Sequence, residues 1–225
     1  MHCHTDEVSA CGKVPAEELV EMYIQKGYDG IVITDHINAS TFLDYEEENW
    51  EEKINYFLKG YKDAVEAAKG RIKILLGLEL CRSGSRNDYL VYGITEEFLR
   101  KYNNESVQLM NMSVKELSQL FRENGMLFFQ AHPFRNGLKV VPPEYLDGIE
   151  TYNGNPRHAS RNDIASLWAK KYNLLEVSGS DFHQIDDIAR GGIIFDGEIN
   201  SQEDLINAIK SRPELIKTET GFLKE

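Results

Sequence analysis

Apolar residues recur along the chain in two alternating rhythms, and the alternation predicts the elements. From Pro15, a residue suited to a first helical turn, Leu19, Val20, Tyr23 and Ile24 fall on one face at helical spacing; Glu17 and Glu18 lie in the first turn and Gly27 marks the stop. Residues 29–34, DGIVIT, follow as a short β-branched run without polar alternation, the pattern of a strand buried on both faces. The rhythms then repeat as a helix over about 50–69 and strands at 72–80 (IKILLGLEL) and 88–94 (DYLVYGI). Beyond these come a helix over about 113–124, strands at 126–131 (MLFFQA) and 147–152 (DGIETY), a helix over about 157–172, a strand at 174–180 (LLEVSGS) and a helix over about 202–210. Strands separated by helical segments predict βαβ units and a mostly parallel sheet. No repeat or Pro/Gly/Ser linker divides the 225 residues, so a single α/β domain is expected, of a length at which closure into a barrel is feasible.

Polar residues interrupt this pattern at matching places. Asp35 and His36 follow IVIT, Glu79 stands at the end of ILLGLEL, His132 follows FFQA, and Asp181 and His183 follow EVSGS. The C-terminal ends of parallel strands share one rim, where loops converge on a single point. His2 and His4 alternate, so on an extended strand both imidazoles point to one face. Five of the six histidines therefore fall at strand ends, a placement that core packing does not require. Imidazole and carboxylate are the donors that hold Zn, Mn or Fe, and a central carboxylate can bridge two ions. A site for two or three divalent ions is expected.

Charge and composition narrow the partners. Thirty-seven acidic against 25 basic residues give a net charge of −12, with no surplus of Lys and Arg for a duplex nucleic-acid groove. The longest apolar runs, IKILLGL and MLFF, fall far short of the roughly 18 residues of a membrane span, and the N-terminus lacks a basic-then-apolar signal pattern. Cys3, Cys11 and Cys81 are odd in number and lack CxxC spacing, which fits reduced thiols in a cytoplasm. An anionic ligand is still compatible with this acidity, because bound cations would supply the attraction.

The order HxH, TDH, a strand-ending glutamate, AHP and GSDxH, from residue 2 to residue 183, resembles the PHP (polymerase and histidinol phosphatase) superfamily. The resemblance implies a distorted (β/α)7 TIM-like barrel with a trinuclear metal centre on its C-terminal rim. His2, His4, Glu79 and Asp181 would hold one ion; Glu79 would bridge to a second completed by His132; His36 and His183 would hold a third. Glu79, Asp181 and His183 would form the catalytic centre, with Asp35 accepting the free N–H of a ligating histidine. The implied chemistry is hydrolysis of a phosphoester, monoester or diester, of a small metabolite or nucleotide by a metal-activated hydroxide. Histidinol phosphatase activity and a non-catalytic metal-stabilised module are the alternatives.

Two positions depart from the family pattern. Where many members read HSxxSDG this chain reads HTDEVSACG, with Ala10 in the aspartate's place, so Glu7 is the first substitute ligand and Asp6 the next. Where many members carry a histidine on the strand after the bridging glutamate, Asp88 is offered instead, an oxygen ligand that favours Mn or Fe over Zn. If neither coordinates, the centre holds two ions.

For the substrate, Arg135 in HPFR is the first phosphate-binding choice, with Arg157 and His158 in YNGNPRH beside it and Arg190 a weaker candidate. Asn153 and Asn155 read chiefly as turn residues, and Cys3, Trp50, Trp168 and the aromatics of YFLKGY as packing. The acidic run 44–53 reads as a loop entering a helix N-terminus, or as a lid. His2 follows directly on Met1, so a few native residues are expected ahead of it and a frayed start would weaken both first ligands.

Overall fold

The structure, a computed structural model, describes residues 1–45, 47–104 and 108–218. The first half contains α1 (Ala16–Gln25), β1 (Gly30–Ile33), β2 (His36–Ile37), α2 (Trp50–Phe57), α3 (Lys59–Ala68), β3 (Lys73–Cys81), β4 (Asp88–Tyr92) and α4 (Glu96–Tyr102). The second contains α5 (Val114–Glu123), β5 (Leu127–Gln130), β6 (Gly148–Asn153), α6 (Asn162–Tyr172), β7 (Leu175–Gly179), β8 (Gly191–Ile194), α7 (Gln202–Lys210) and β9 (Glu214–Lys217). Every strand and helix read from the pattern is present, and α4, β2 and the β8–β9 hairpin are additional.

The main sheet has the order β1-β3-β4-β5-β6-β7, with β2 also paired to β3. It does not keep the regular alternation of a (β/α)7 barrel. Only residues 82–87 join β3 to β4, too few for a crossover helix, so β4 returns antiparallel to β3, and β5 is antiparallel to β4 in turn. The remaining pairs of the main sheet are parallel. The result is an α/β fold with a curled, mixed sheet.

Residues 2–4 lie between the two ends of that sheet. On one side Cys3 bridges Phe182, with His4 N donating to Phe182 O at 3.0 Å and Phe182 N to His2 O at 3.3 Å. On the other, Thr34 N donates to Cys3 O at 2.8 Å and Cys3 N to Thr34 Oγ1 at 3.0 Å. Tyr92 also donates its hydroxyl to Met1 O. The start of the chain is thus tied down on both sides rather than frayed.

Strand alternation divides the core. Ile74, Leu76, Leu78 and Leu80 of β3 pack outward beneath the helices, while Leu75, with Leu90, Tyr92, Leu127, Phe129 and Val177, lines the inside of the curl. Leu205, Ile206 and Ile209 of α7 join that inner cluster. Period two therefore places Glu79 on the inner face, in line with Leu75.

Local chemistry explains two shifted boundaries. The helix expected over 50–69 divides at the buried Leu58, and α3 then packs so closely on the rim that a Cβ at Gly60 would lie 2.1 Å from Thr5 Oγ1 and 2.6 Å from Asp35 Oδ2. The helix expected from 157 begins only at Asn162, because side-chain carbonyls hold successive turns: Asn155 N donates to Asn153 Oδ1 at 3.1 Å and Arg157 N to Asn155 Oδ1 at 3.0 Å. Within the acidic run 44–53, Asn49 caps α2 by accepting from Glu52 N, while Glu46 lies outside the described residues. Trp50 packs edge-on against Phe42, Trp168 packs on Phe134 and Tyr172, and Cys3 is buried beside Tyr23.

Candidate metal centre

The rim gathers its donors by several routes. Glu79 and His36 are direct neighbours in the parallel β2–β3 register. Asp88 reaches the same rim because β4 is antiparallel: its first residue, not its last, lies opposite Cys81. His132 follows Ala131, which already faces inward, so a regular strand would turn the imidazole outward; its backbone instead takes a left-handed φ of 29°. Asp181 is likewise left-handed, with φ 50°. Two non-glycine residues held in this costly region at one rim mark a place where surrounding structure dictates side-chain aim.

Three overlapping groups result: His2, His4, Glu79 and Asp181; Glu79, Asp88 and His132; and His4, His36 and His183. Within each group the donor atoms lie within 4.8 Å of one another. Glu79 is shared by two groups, and its Oε2 stands 3.1 Å from His2 Nε2, 3.1 Å from His4 Nε2 and 3.3 Å from His36 Nδ1. None of those three buried nitrogens is aligned for a hydrogen bond, and His132 Nδ1 also lacks one. Buried polar atoms are normally satisfied, so nitrogens converging on one carboxylate oxygen without bonding geometry are what a site built for cations presents. The donor set fits divalent metal ions.

The electrostatics of the rim agree. Burial lowers the pKa of His2, but Glu79, Glu150 and Asp181 overcome it and hold this imidazole well above its ordinary value. His4 is raised to about 9, the neighbouring Asp181 and Glu79 carboxylates outweighing its burial. Burial drives His36 down to about 3 and His183 to about 4. Glu79 and Asp181 lie well below the carboxylate range despite burial, because cationic histidines face them. Asp88 is pushed up to about 6 by burial and the charge of Glu79. The raised His2 and His4 imidazoles thus balance the buried carboxylates of Glu79 and Asp181.

Several supporting residues were not anticipated. Glu150, fully buried on β6, accepts from His2 Nδ1 at 2.9 Å, His132 N at 3.0 Å and Asn153 Nδ2 at 2.9 Å. A register shift between Glu150 and Tyr152 marks a bulge at this point, the kind of irregularity that re-aims a side chain. The signal was a charged residue inside the apolar run GIETY. Asn153, read as a turn residue, also connects the site: its amide donates to Asp181 Oδ2 at 3.2 Å, and its carbonyl accepts from Arg135 Nη2 at 2.7 Å. Asn155 Nδ2 donates to Asp181 O at 3.1 Å.

Other candidate residues have different partners. Glu7 lies outside the three groups; its carboxylate accepts from Ala16 N at 3.0 and 3.1 Å, serving the N-terminus of α1, whose preceding Pro15 has no capping side chain. Asp35 does not accept directly from a ligating imidazole. It takes bonds from Thr5 N and Thr5 Oγ1, both at 2.8 Å, and from Ser9 Oγ at 2.7 Å, while Ser9 Oγ lies 3.3 Å from His4 Nδ1 and accepts from His36 N. Arg157 closes both guanidinium arms on Asp187, so its fork is already occupied. Asp187, fully buried, also accepts from His183 N at 2.9 Å, and the pair fixes the loop that carries His183.

Arg135 is at the site. It donates to Asp181 Oδ2, Asn153 Oδ1 and Ser160 Oγ, and its Nη1 has no hydrogen bond among the described residues. His158 is exposed, and partial desolvation together with the Arg135 charge lowers its pKa. Arg190 turns away, its Nε donating to Asp186 O.

A mixed α/β sheet with a histidine and carboxylate rim defines the class, and the comparisons agree. The PHP domain profile matches residues 1–222, and the chain belongs to that family. An uncharacterized protein of Methanocaldococcus jannaschii is 28% identical over 147 residues, 57% of this chain and 61% of that protein. Among solved structures, a two-domain protein of Bacteroides vulgatus containing a predicted PHP-like metal-dependent phosphoesterase aligns with TM-score 0.64 and 18% identity, covering 97% of this chain and 64% of that one. A Bifidobacterium adolescentis protein, also assigned by prediction as a metal-dependent phosphoesterase, gives TM-score 0.52 and 17% identity over 93% and 94% of the two chains. The chain spans less than two thirds of the first two relatives. Among the described residues no helix is long and apolar enough to cross a membrane.

Proposed function

We propose that this protein is a metal-dependent phosphoesterase acting on a small phosphorylated metabolite or nucleotide, at a centre of two or three divalent ions (Zn, Mn or Fe) within a single domain. The observation that carries this reading is the sharing of Glu79 between two donor groups, with the Arg135 guanidinium beside Asp181. Divalent ions in such a site supply an activated water and neutralise charge on a phosphoryl oxygen. His2, His4, Glu79 and Asp181 would hold one ion; Glu79, Asp88 and His132 a second; His36 and His183, with His4 nearby, a third. Arg135, held by Asn153 and Ser160, would orient a phosphoryl oxygen through its remaining N–H groups. His158 can accept a hydrogen bond from the substrate.

The test is phosphate or nitrophenol release by Mn-loaded protein from p-nitrophenyl phosphate, bis-p-nitrophenyl phosphate and a nucleotide panel. Turnover that chelator abolishes and metal restores supports the reading. Absence of turnover on every ester by protein carrying two or more ions contradicts it.

A further inference from the structure

Charge is unevenly distributed around the rim. Residues 82–87 between β3 and β4, residues 133–141 after β5 and residues 154–161 after β6 hold Arg82, Arg86, Arg135, Lys139, Arg157 and Arg161 and no Asp or Glu. By contrast, residues 38–49 after β2 hold Asp44, Glu47 and Glu48 and no Lys or Arg. In a chain of net charge −12, such a separation creates a local field that attracts anions.

Most of the six cations are already engaged. Arg82 Nε donates to Met112 O, Arg157 closes on Asp187, Arg161 holds Phe134 O and Asn136 Oδ1, and Arg135 is bound to Asp181, Asn153 and Ser160. Arg86 and Lys139 remain. Both are exposed, and neither side chain has a hydrogen bond or ion pair among the described residues.

Their positions are nevertheless fixed. Within loop 82–87, Ser83 Oγ donates to Asn111 Oδ1 at 2.7 Å and Asn87 N to Ser85 Oγ at 3.1 Å. Buried Asn87 joins this loop to the next: its Nδ2 donates to Lys139 O at 2.7 Å and its Oδ1 accepts from Lys139 N at 3.0 Å. Arg86 crosses the same way, its guanidinium resting on Gly137, where a Cβ would lie 3.0 Å from Nη1 and 3.4 Å from Cζ. Gly137, at φ 82°, belongs to the turn closed by Leu138 N donating to Arg135 O at 3.2 Å. Arg86 therefore lies against the turn that opens with Arg135, and Asn87 separates it in sequence from Asp88 of the candidate metal centre.

We propose that Arg86 and Lys139 form a second anion subsite beside the metal centre, taking a phosphoryl or carboxylate group that the substrate carries in addition to the ester it presents to the ions. This rests on the phosphoesterase reading above and narrows its substrates to phosphate esters with a second anionic group. The Arg86 guanidinium offers paired N–H donors to such a group, and Lys139 adds a point charge.

The experiment compares two pairs of esters on Mn-loaded full-length protein: fructose 1,6-bisphosphate against fructose 6-phosphate, and 3-phosphoglycerate against glycerol 3-phosphate. Wild type is expected to favour the doubly anionic member of at least one pair by roughly 10-fold in kcat/KM, the size of one charge-assisted hydrogen bond. Preference in the first pair identifies a phosphoryl group and in the second a carboxylate. Arg86→Ala should bring the ratio close to one, chiefly through KM, with metal content retained. Lys139→Ala should lower the ratio as well, and decides the matter if Arg86→Ala does not fold. A wild-type ratio near one in both pairs, or a ratio that survives these substitutions, overturns the subsite while leaving the phosphoesterase reading standing. Absence of turnover on all four esters contradicts that reading instead, and the same ratios are then taken from dissociation constants by calorimetry, with the same outcomes for the subsite.

Discussion

Replacing Glu150 by Gln changes one group outside the three donor sets and should disable the candidate metal ligand His2, to which Glu150 is hydrogen-bonded. Glu150 Oε2 receives two donors, the His132 N–H and the Asn153 amide, so the glutamine carbonyl must take that position. The new NH2 then faces His2 Nδ1, where Glu150 Oε1 accepts at 2.9 Å in the native chain. His2 Nδ1 must become an acceptor, which moves its proton to Nε2, the nitrogen aimed at Glu79 and Asp181. A protonated Nε2 cannot bind metal. Partners of this kind are worth roughly 10- to 100-fold in metal affinity, or about 1.4–2.8 kcal/mol. Competition against a chromogenic chelator measures it directly, with circular dichroism confirming an intact fold. Affinity within a factor of two of wild type would refute the assignment of Glu150 as the residue that sets the His2 tautomer.

Three further outcomes follow from the geometry. Glu7→Ala should lower stability by about 1 kcal/mol, the ordinary value of a lost helix N-cap, without altering metal content; a lost ion in metal analysis would restore Glu7 as a ligand. Asp88→Ala should remove the ion shared by Glu79 and His132 while the others stay, and unchanged metal content would exclude Asp88 from coordination. In chelator, His4 has a folded pKa of about 9 against roughly 6.5 unfolded, so its stabilising contribution is complete below pH 6.5 and is lost as pH rises through about 9. That contribution is on the order of 3 kcal/mol, and urea midpoints at pH 6.5 and pH 9 should differ without metal; equal midpoints contradict the proton's role.

Much of this rim was legible because strand periodicity is strict. Once Leu75 and Glu79 share a face, the inward aim of Glu79 follows, and HxH alternation does the same for His2 and His4. What escaped the pattern depended on conformation that spacing does not encode. His132 and Asp88 were both expected at the rim, but not the means: His132 reaches it through a left-handed residue, and Asp88 because β4 runs backward, which a short connection determines but a hydrophobic run does not. Glu150 was passed over because it stands inside a strand whose residues are buried throughout, where no alternation distinguishes a functional charge from core. Glu7 was named because Ala10 stands where the family pattern has an aspartate, a substitution that does not reveal the backbone N–H of Ala16 at the start of α1 that donates to its carboxylate.

The claim on which everything else depends is that Glu79 bridges two ions. Metal analysis of protein purified without chelator, wild type beside Glu79→Gln, tests it most directly. The account predicts at least two ions per chain in wild type and at most one in the variant, with both proteins folded. Fewer than two ions in wild type, or an unchanged number in Glu79→Gln, would contradict it.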